Sequence, residues 1–288
     1  MVETALAELE DPAFAQAATP SLAATPAREA GSRGLQVALG LLLPALLLAG
    51  LEVGVRAGWI ASHQLPPPSE ILRTLSSMVA DGALWTHLGA STLRVAVGFG
   101  FGATAGVLLA LAVGLSRPLE WLLDPSLQAL RAVPSLAWVP LLLLWLGIDE
   151  TPKITLIALG AFFPVYLTLL GGLRDVDRKL IELGEIQGLS RTALARRILL
   201  PAALPALFTG LRGGLGLAWM FVVAAELIAA TKGLGYLLSD GRETSRPDIV
   251  IAAIVLLALV GKLSDGLLKW VEERQLHWRD TLATRGAA

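Results

Sequence analysis

The sequence has no cysteine, few charged residues and only three histidines. Charged residues make up 16% of the 288 residues, whereas soluble globular domains carry about 25%. The lack of cysteine excludes disulfide bonds and thiolate metal sites. His63, His87 and His277 lie outside the long apolar segments, which argues against an intramembrane metalloprotease and against a histidine proton relay. We therefore predict no metal site and no catalytic residue in this chain.

Apolar residues are what the chain has in excess. Hydrophobic residues account for 55% of the sequence, and the mean hydropathy is +0.66. A chain with so few surface-forming groups is typical of a membrane protein surrounded by lipid. The formal net charge of −1 does not identify a partner, and we expect no contact with nucleic acid.

Six apolar windows are long enough to cross a bilayer, which takes about 20 mostly apolar residues in a helix. Backbone amides in lipid must pair within their own segment, so we predict helices rather than strands. The predicted fold is an all-α polytopic membrane protein with six transmembrane helices. The predicted spans are 35–55, 92–115, 126–147, 153–173, 206–230 and 249–268.

Three parts are predicted along the chain. Residues 1–34 are rich in Ala, Pro and Thr and lack the basic start of a secretory signal, which indicates a disordered tail. Residues 35–270 are predicted to form the six-helix membrane domain. Residues 271–288 are predicted to form a C-terminal tail.

The distribution of Lys and Arg predicts the orientation, because short cytoplasmic loops are enriched in these residues. With the N-terminus inside, the loops on the outer side carry Arg73, Lys153, Lys232, Arg242 and Arg246. The inner side then collects Arg28, Arg33, Arg117, Arg174, Arg178, Lys179, Arg191, Arg196, Arg197, Lys269, Arg274, Arg279 and Arg285. We therefore predict that both termini and the loop at 174–203 are cytoplasmic.

Small residues and prolines predict how the spans pack. Glycines recur every four residues in the second span, at Gly98, Gly102 and Gly106, which favours the close approach of another helix. The third and fourth spans are predicted to kink at Pro134, Pro140 and Pro164.

Four ionisable residues fall inside or at the ends of the spans, where each costs about 2.5–3.5 kcal/mol on insertion scales. Arg94 and Arg212 lie near span ends and are predicted to extend their charges toward water. Arg131 and Glu226, together with Pro134, are candidates for a translocation pathway, although Arg131 could also extend to water. Near the cytoplasmic end of the last span, Lys262 and Asp265 are spaced to form an ion pair.

The 174–203 segment is an amphipathic helix-turn-helix between two apolar spans. A first helix is predicted at 178–187, with Gly188 as its stop and Ser190 as the cap of the next helix. We expect this second helix to end near Leu200, where Pro201 and Pro205 redirect the chain. On the first helix, Leu180, Leu183 and Ile186 form a short apolar stripe.

Two interpretations of this segment are open from the residues alone. Its Lys and Arg could meet lipid headgroups at the membrane surface. Its four acids, however, would be repelled by the same lipids, and a mixture of signs suits docking to a cytoplasmic protein. These acids are Asp175, Asp177, Glu182 and Glu185.

The same segment resembles a known motif. The segment contains Glu182-Leu183-Gly184, then Gly188 after three residues, Ile198 after nine more and Leu200-Pro201 after one more. This pattern is similar to the EAA loop of ABC importer permeases, with Leu183 where Ala is usual. The likeness extends over about 66–280 and looks closest to the branch that imports aliphatic sulfonates, taurine and nitrate. The stretches that resemble this branch are "LRAVPSLAWVPLLLLWLGID" at 130–149, "GLGYL" at 233–237 and "LVGKLSD" at 259–265.

This resemblance implies a type I ABC importer permease fold in a bacterial inner membrane. It also implies that the 174–203 segment docks in a cleft of a cytoplasmic ATPase subunit, with Glu182 pairing with a basic group there. The residues that carry over as coupling residues are Glu182, Gly184, Gly188, Leu189, Ser190, Arg191, Ile198 and Pro201.

Further expectations concern energy and partners. Gly261-Lys262 with Ser264 does not complete a phosphate-binding loop, so we expect no cofactor in this chain, and ATP and Mg to be bound by the partner ATPase. Each copy of this chain has one docking segment, whereas an ATPase dimer has two clefts. This difference implies that two copies of the chain form a homodimer. We expect a periplasmic substrate-binding protein to deliver the substrate, an aliphatic sulfonate, for import by alternating access.

Other functions compete with this one. Within the family, the substrate could be taurine, nitrate or bicarbonate. A secondary transporter or channel would predict inverted halves with broken helices, and the two halves show no evident similarity. An intramembrane serine protease would need a base at depth, and no predicted span contains His.

Overall fold

The computed structural model describes residues 32–276, with side chains from residue 39 onward except those of Arg191 and Ala229. Residues 1–31 of the predicted tail at 1–34 lie outside the described residues, and so do residues 277–288 of the predicted tail at 271–288, whereas 32–34 and 271–275 are helical. Within 32–276 all regular structure is helical. The described residues divide into two compact units at the boundary between Val53 and Gly54.

Eleven α-helices are described between residues 32 and 276. They are α1 Ser32–Arg56, α2 Pro68–Ala80, α3 Ala83–Leu115, α4 Arg117–Ala132, α5 Val139–Leu146, α6 Glu150–Arg174, α7 Arg178–Ile186, α8 Arg191–Leu194, α9 Leu200–Ala229, α10 Leu234–Glu243 and α11 Pro247–Gln275. A 3-10 turn at Ser135–Trp138 precedes α5, and a π turn at Ala195–Leu199 joins α8 to α9.

Five helical stretches in the described range are long and apolar enough to cross a membrane. They are Leu39–Arg56, Ala83–Leu115, Glu150–Arg174, Thr192–Ile228 and Pro247–Gln275. Each contains one of the predicted spans almost completely. The total is up to six if a bent helix pair counts as one further span.

This bent pair replaces the predicted third span at 126–147. Arg117–Ala132 and Ser135–Leu146 meet at an angle of 89°, so the span is broken rather than kinked. The break lies at Val133 and Pro134, where extended backbone interrupts the helix. Pro140 then occupies the first turn of α5, where its missing N–H leaves no bond unmade. In contrast, α6 continues through Pro164.

Close packing of α3, α6 and α9 forms the centre of the second unit. A Cβ added to Gly102 would lie 2.2 Å from the Ala158 carbonyl oxygen, and one added to Gly98 would lie 2.7 Å from Ile157. The predicted close approach along the glycine repeat of α3 is therefore confirmed, and its partner is α6. α6 also packs against α9, where a Cβ at Gly160 would overlap the ring of Phe221.

Candidate functional site

The 174–203 segment forms the predicted pair of helices joined by a glycine turn. Asp177 caps α7, since its carboxylate accepts a hydrogen bond of 2.9 Å from the Lys179 N–H. At the other end Gly188 has a φ of +71°, a left-handed conformation that favours glycine. Ser190 Oγ accepts from the Ala193 N–H at 3.3 Å. The predicted glycine stop and serine cap are confirmed.

The second helix of the segment does not end near Leu200 as predicted. It passes through the π turn into α9, and the Leu200 N–H donates to the Ala195 carbonyl five residues back. A proline normally interrupts the bond to the carbonyl four residues back. Because the π turn changes the bonding pattern just before Pro201, the helix continues past this proline, and Pro205 lies inside the same continuous helix α9. The segment is thus directly continuous with a membrane-spanning helix.

The two helices of the segment are packed together through Gly184. This residue is buried, and an added Cβ would lie 2.7 Å from Ile198 Cδ1 and 2.8 Å from Leu194 Cδ1. Gly184 and Ile198, which are separated by thirteen residues in the motif, are therefore in contact. A larger side chain at 184 would push α7 away from the helix that enters the membrane.

The apolar stripe on α7 faces outward. Ile186 is 83% exposed and Leu183 is 52% exposed, and Leu180 is also exposed. Leu183 stands where Ala is usual. Because its side chain is exposed, packing within the chain does not require a small residue at this position. Glu182 is exposed as well and accepts a hydrogen bond of 2.8 Å from Arg178 Nε one turn earlier. This surface presents an apolar stripe beside a solvated ion pair.

The remaining predicted coupling residues occupy the turn and the second helix. Leu189 is half-buried, and its N–H donates to the Gly184 carbonyl at 3.1 Å. Arg191 begins α8, and its side chain lies outside the described part of the structure. At the first residue of the segment, Arg174 Nη2 at the end of α6 donates to Glu120 of α4 at 2.6 Å. The segment is thereby adjacent to a link between two further helices.

Buried ionic groups at the other end of α9 form a second feature. We define the Glu226 cluster as Ser91, Arg94, Glu150 and Glu226. The Glu226 carboxylate is 1% exposed and accepts hydrogen bonds from Ser91 Oγ at 2.7 Å and from Arg94 Nη1 at 2.7 Å. Arg94 also binds both carboxylate oxygens of Glu150, at 2.5 and 2.6 Å. The cluster joins α3, α6 and α9.

The prediction that Arg94 extends its charge toward water is wrong. Arg94 is 3% exposed, and its guanidinium is satisfied by two carboxylates and by the Lys232 carbonyl at 2.6 Å. A buried charge is tolerated when it is paired and hydrogen-bonded in this way. Glu150 was not predicted, because it lies outside the predicted span at 153–173 and no local spacing relates it to Arg94.

Three consecutive backbone N–H groups at the start of α10 also reach this region. Gly233 N–H donates to His87 Nδ1 at 3.0 Å, Leu234 N–H to Ser91 Oγ at 2.8 Å and Gly235 N–H to Glu226 Oε2 at 2.7 Å. His87, although outside the predicted span at 92–115, lies within α3. The first turn of α10 is thus capped by side chains from α3 and α9.

Two further ionic predictions near the other end of the bundle are revised. Arg212 does not simply extend to water, since it binds Asp265 at 2.9 and 3.1 Å and Glu272 at 3.4 Å. Asp265, the predicted partner of Lys262, is thus paired with Arg212 instead. The interaction holds α9 against α11.

The predicted pathway residues do not form one site. Arg131 is exposed in the last turn of α4, and Pro134 is exposed in the break that follows. Glu226 is buried in its cluster among α3, α6 and α9. A pathway role for these three residues stays a prediction.

Comparisons with known proteins agree on one family. The family described as "Binding-protein-dependent transport system inner membrane component" matches residues 102–277. The aliphatic sulfonates transport permease protein SsuC of Bacillus subtilis (strain 168) is 43% identical over 242 residues, which cover 84% of this chain and 88% of the relative. The SsuC protein of Escherichia coli (strain K12) is 42% identical over 236 residues, with 82% and 90% covered.

A more distant relative and one solved structure are also similar to this chain. The taurine transport system permease protein TauC of Escherichia coli (strain K12) is 36% identical over 252 residues, which cover 86% of this chain and 91% of the relative. A structure of the MetNI methionine ABC transporter in inward-facing conformations is 20% identical, with a TM-score of 0.47, and covers 72% of this chain and 98% of that chain. From the family match and the identity to SsuC, this chain belongs to the inner membrane components of binding-protein-dependent transport systems.

Proposed function

We propose that this chain is the permease subunit of an ATP-driven importer of aliphatic sulfonates. Two SsuC relatives are 43% and 42% identical to it, whereas the taurine permease TauC is 36% identical. This difference favours an aliphatic sulfonate over taurine. The chain itself carries out no chemistry in this proposal, because ATP and Mg are bound by a separate ATPase subunit.

The proposed assembly is a homodimer in the inner membrane with both termini in the cytoplasm. Each copy contributes one 174–203 segment to one of the two clefts of a cytoplasmic ATPase dimer. A periplasmic binding protein delivers substrate to the outer side. The orientation is supported by the excess of Lys and Arg on the side that holds the 174–203 segment.

The coupling step relies on the exposed face of α7. Ile186, Leu183 and Leu180 offer an apolar stripe that a cleft in the ATPase would bury. Glu182 then exchanges its exposed partner Arg178 for a basic group of the ATPase. Gly188, Leu189, Ser190 and Arg191 form the turn and helix start that set the direction of α7.

One observation carries this proposal: the docking face is joined to a membrane helix without a flexible connection. Gly184 packs α7 against Ile198, and the helix that holds Ile198 continues through Pro201 into α9. A displacement of α7 by closure of the ATPase is therefore transmitted to the bundle as a rigid-body motion. Alternating access is the expected result.

The proposal is tested with a strain that lacks the gene for this chain. We expect loss of growth on an alkanesulfonate as the sole sulfur source and unchanged growth on sulfate. Restoration by the wild-type chain, and failure of restoration by a Glu182→Arg variant present at the same level in the membrane, would support the role. Unchanged growth on alkanesulfonates with lost growth on taurine would assign taurine instead.

A further inference from the structure

The first turn of α10 has no capping side chain of its own. Gly233 occupies the N-cap position with a φ of +133° and supplies no side-chain hydrogen bond. A helix leaves about four N–H groups without partners at its start. Here the three N–H groups of Gly233, Leu234 and Gly235 are satisfied by His87, Ser91 and Glu226. Two of these acceptors come from α3 and one comes from α9.

The fit around Gly233 shows how closely α10 is fixed. A Cβ added to Gly233 would lie 2.3 Å from the Glu226 carboxylate, and one added to Gly235 would lie 2.8 Å from Glu226 Cβ. The preceding residue is held too, since Arg94 donates to the Lys232 carbonyl at 2.6 Å. The start of α10 therefore cannot shift without a change in the Glu226 cluster.

The charges of the cluster are balanced. Arg94 pairs with Glu226 and Glu150, and Lys153 approaches Glu150 at 3.3 Å. Two cations thus face two anions, and both Glu226 oxygens are engaged in hydrogen bonds. A saturated and buried carboxylate is suited to holding a geometry rather than to binding a passing solute.

Glu226 is also mechanically connected to the ATPase side. It lies near the outer end of the continuous helical stretch Thr192–Ile228, which is 37 residues long. At about 1.5 Å per residue this stretch is about 55 Å long. Its inner end holds Ile198, against which Gly184 of α7 is packed. One helix therefore joins the α10 cap to the α7 docking face.

We infer that Glu226 is a positioning residue that couples α10 to the 174–203 segment. The substrate-loaded binding protein docks from the outer side and displaces α10. The Glu226 cluster transmits this displacement to α3, α6 and α9. The inference rests on the proposed function, which places α10 outside and α7 against the ATPase. Glu226 acts in it through the backbone of Gly235 and not by contact with substrate.

The test uses the full transporter, reconstituted with its ATPase and binding protein, and the variants Glu226→Gln and Ser91→Ala. ATP hydrolysis is measured without binding protein and with binding protein loaded with an alkanesulfonate. Couplings between sites are typically about 5- to 150-fold. We therefore expect either variant to reduce the stimulation by binding protein at least about fivefold and to keep the basal rate within about twofold. Glu273→Gln, at an exposed position of α11 outside the cluster and outside α10, is the matched control and should keep full stimulation.

Hydrogen exchange of the backbone amides at 233–235 shows whether the cap has been released. Faster exchange in Ser91→Ala or Glu226→Gln with undiminished stimulation would overturn the inference, and so would equal loss of stimulation in Glu273→Gln. If Glu226→Gln fails to fold, Ser91→Ala alone decides, since it keeps the Glu226–Arg94 pair. Absence of stimulation in the wild-type transporter would instead contradict the proposed function.

Discussion

Gly184 and Ile198 lie in contact at the junction between α7 and the helix that enters the membrane, with only 2.7 Å between Ile198 Cδ1 and the place where a Cβ on Gly184 would be. This contact fixes the direction of α7 relative to α9. The apolar stripe of α7 remains exposed beside it. A docking surface on a short helix transmits force only if its base is rigid, and this pair provides the rigid base.

The first prediction concerns that contact. Gly184→Val should separate α7 from the π turn, because a branched side chain cannot fit against Ile198 and Leu194. We expect affinity for the ATPase subunit to fall at least about tenfold, a change equivalent to about 1.4 kcal/mol. Co-purification and titration with the ATPase measure this. Gly100→Val, at an exposed position of α3 where an added Cβ meets nothing within 4 Å, is the control, and equal losses in both variants would contradict the role of the contact.

The exposed face gives the second prediction. Ile186→Asp places a charge on the docking stripe without disturbing packing within the chain, since Ile186 is 83% exposed. We expect unchanged thermal stability of the isolated permease, with ATPase binding reduced at least about tenfold, as for a central interface residue. Leu72→Asp, on the exposed face of α2, is the matched control and should bind normally. Normal ATPase binding by Ile186→Asp would exclude this face as the docking surface.

The third prediction compares two glycines of α3. Gly102→Ala would place its Cβ 2.2 Å from the Ala158 carbonyl oxygen, whereas Gly100→Ala meets nothing within 4 Å. Overpacking of a tight core costs about 1–3 kcal/mol. We therefore expect a lower melting temperature for Gly102→Ala and an unchanged or slightly higher one for Gly100→Ala. Similar melting temperatures for the two variants would mean that α3 and α6 are not in close contact.

Two arginines of different burial give the fourth prediction. Arg94→Ala leaves Glu226 and Glu150 without their main partner, and removal of one member of a buried pair costs about 3–5 kcal/mol. Arg178→Ala removes an exposed pair with Glu182, which costs less than about 1 kcal/mol. Thermal unfolding in detergent should therefore separate the two variants clearly. A small effect of Arg94→Ala would mean that the cluster is hydrated.

The sequence pattern was sufficient for features that depend on local spacing. Continuous apolar runs located the long helices, and the interval of four residues between Gly98, Gly102 and Gly106 predicted a close helix contact. The turn at Gly188 and the cap at Ser190 follow from intrinsic backbone and side-chain preferences. Such features need no knowledge of distant residues.

Features that depend on distant residues could not be predicted in this way. Arg94 meets Glu150 and Glu226 across 56 and 132 positions of sequence, so it was expected to reach water. Continuity through Pro201 depends on a π turn that no spacing rule indicates. The break at Pro134 was expected as a kink, and the presence of a proline does not by itself indicate an angle of 89°.

The account depends most directly on the 174–203 segment lying in the cytoplasm, and the lack of cysteine allows a direct measurement. Single cysteines are introduced by Ser190→Cys in this segment and by Ser76→Cys on α2, both at exposed positions. A membrane-impermeant maleimide is applied to cells with a permeabilised outer membrane and an intact inner membrane. The account predicts labelling at position 76 alone, with position 190 labelled only after the inner membrane is opened and protected when the ATPase is bound. Labelling at position 190 while the inner membrane is intact would contradict it.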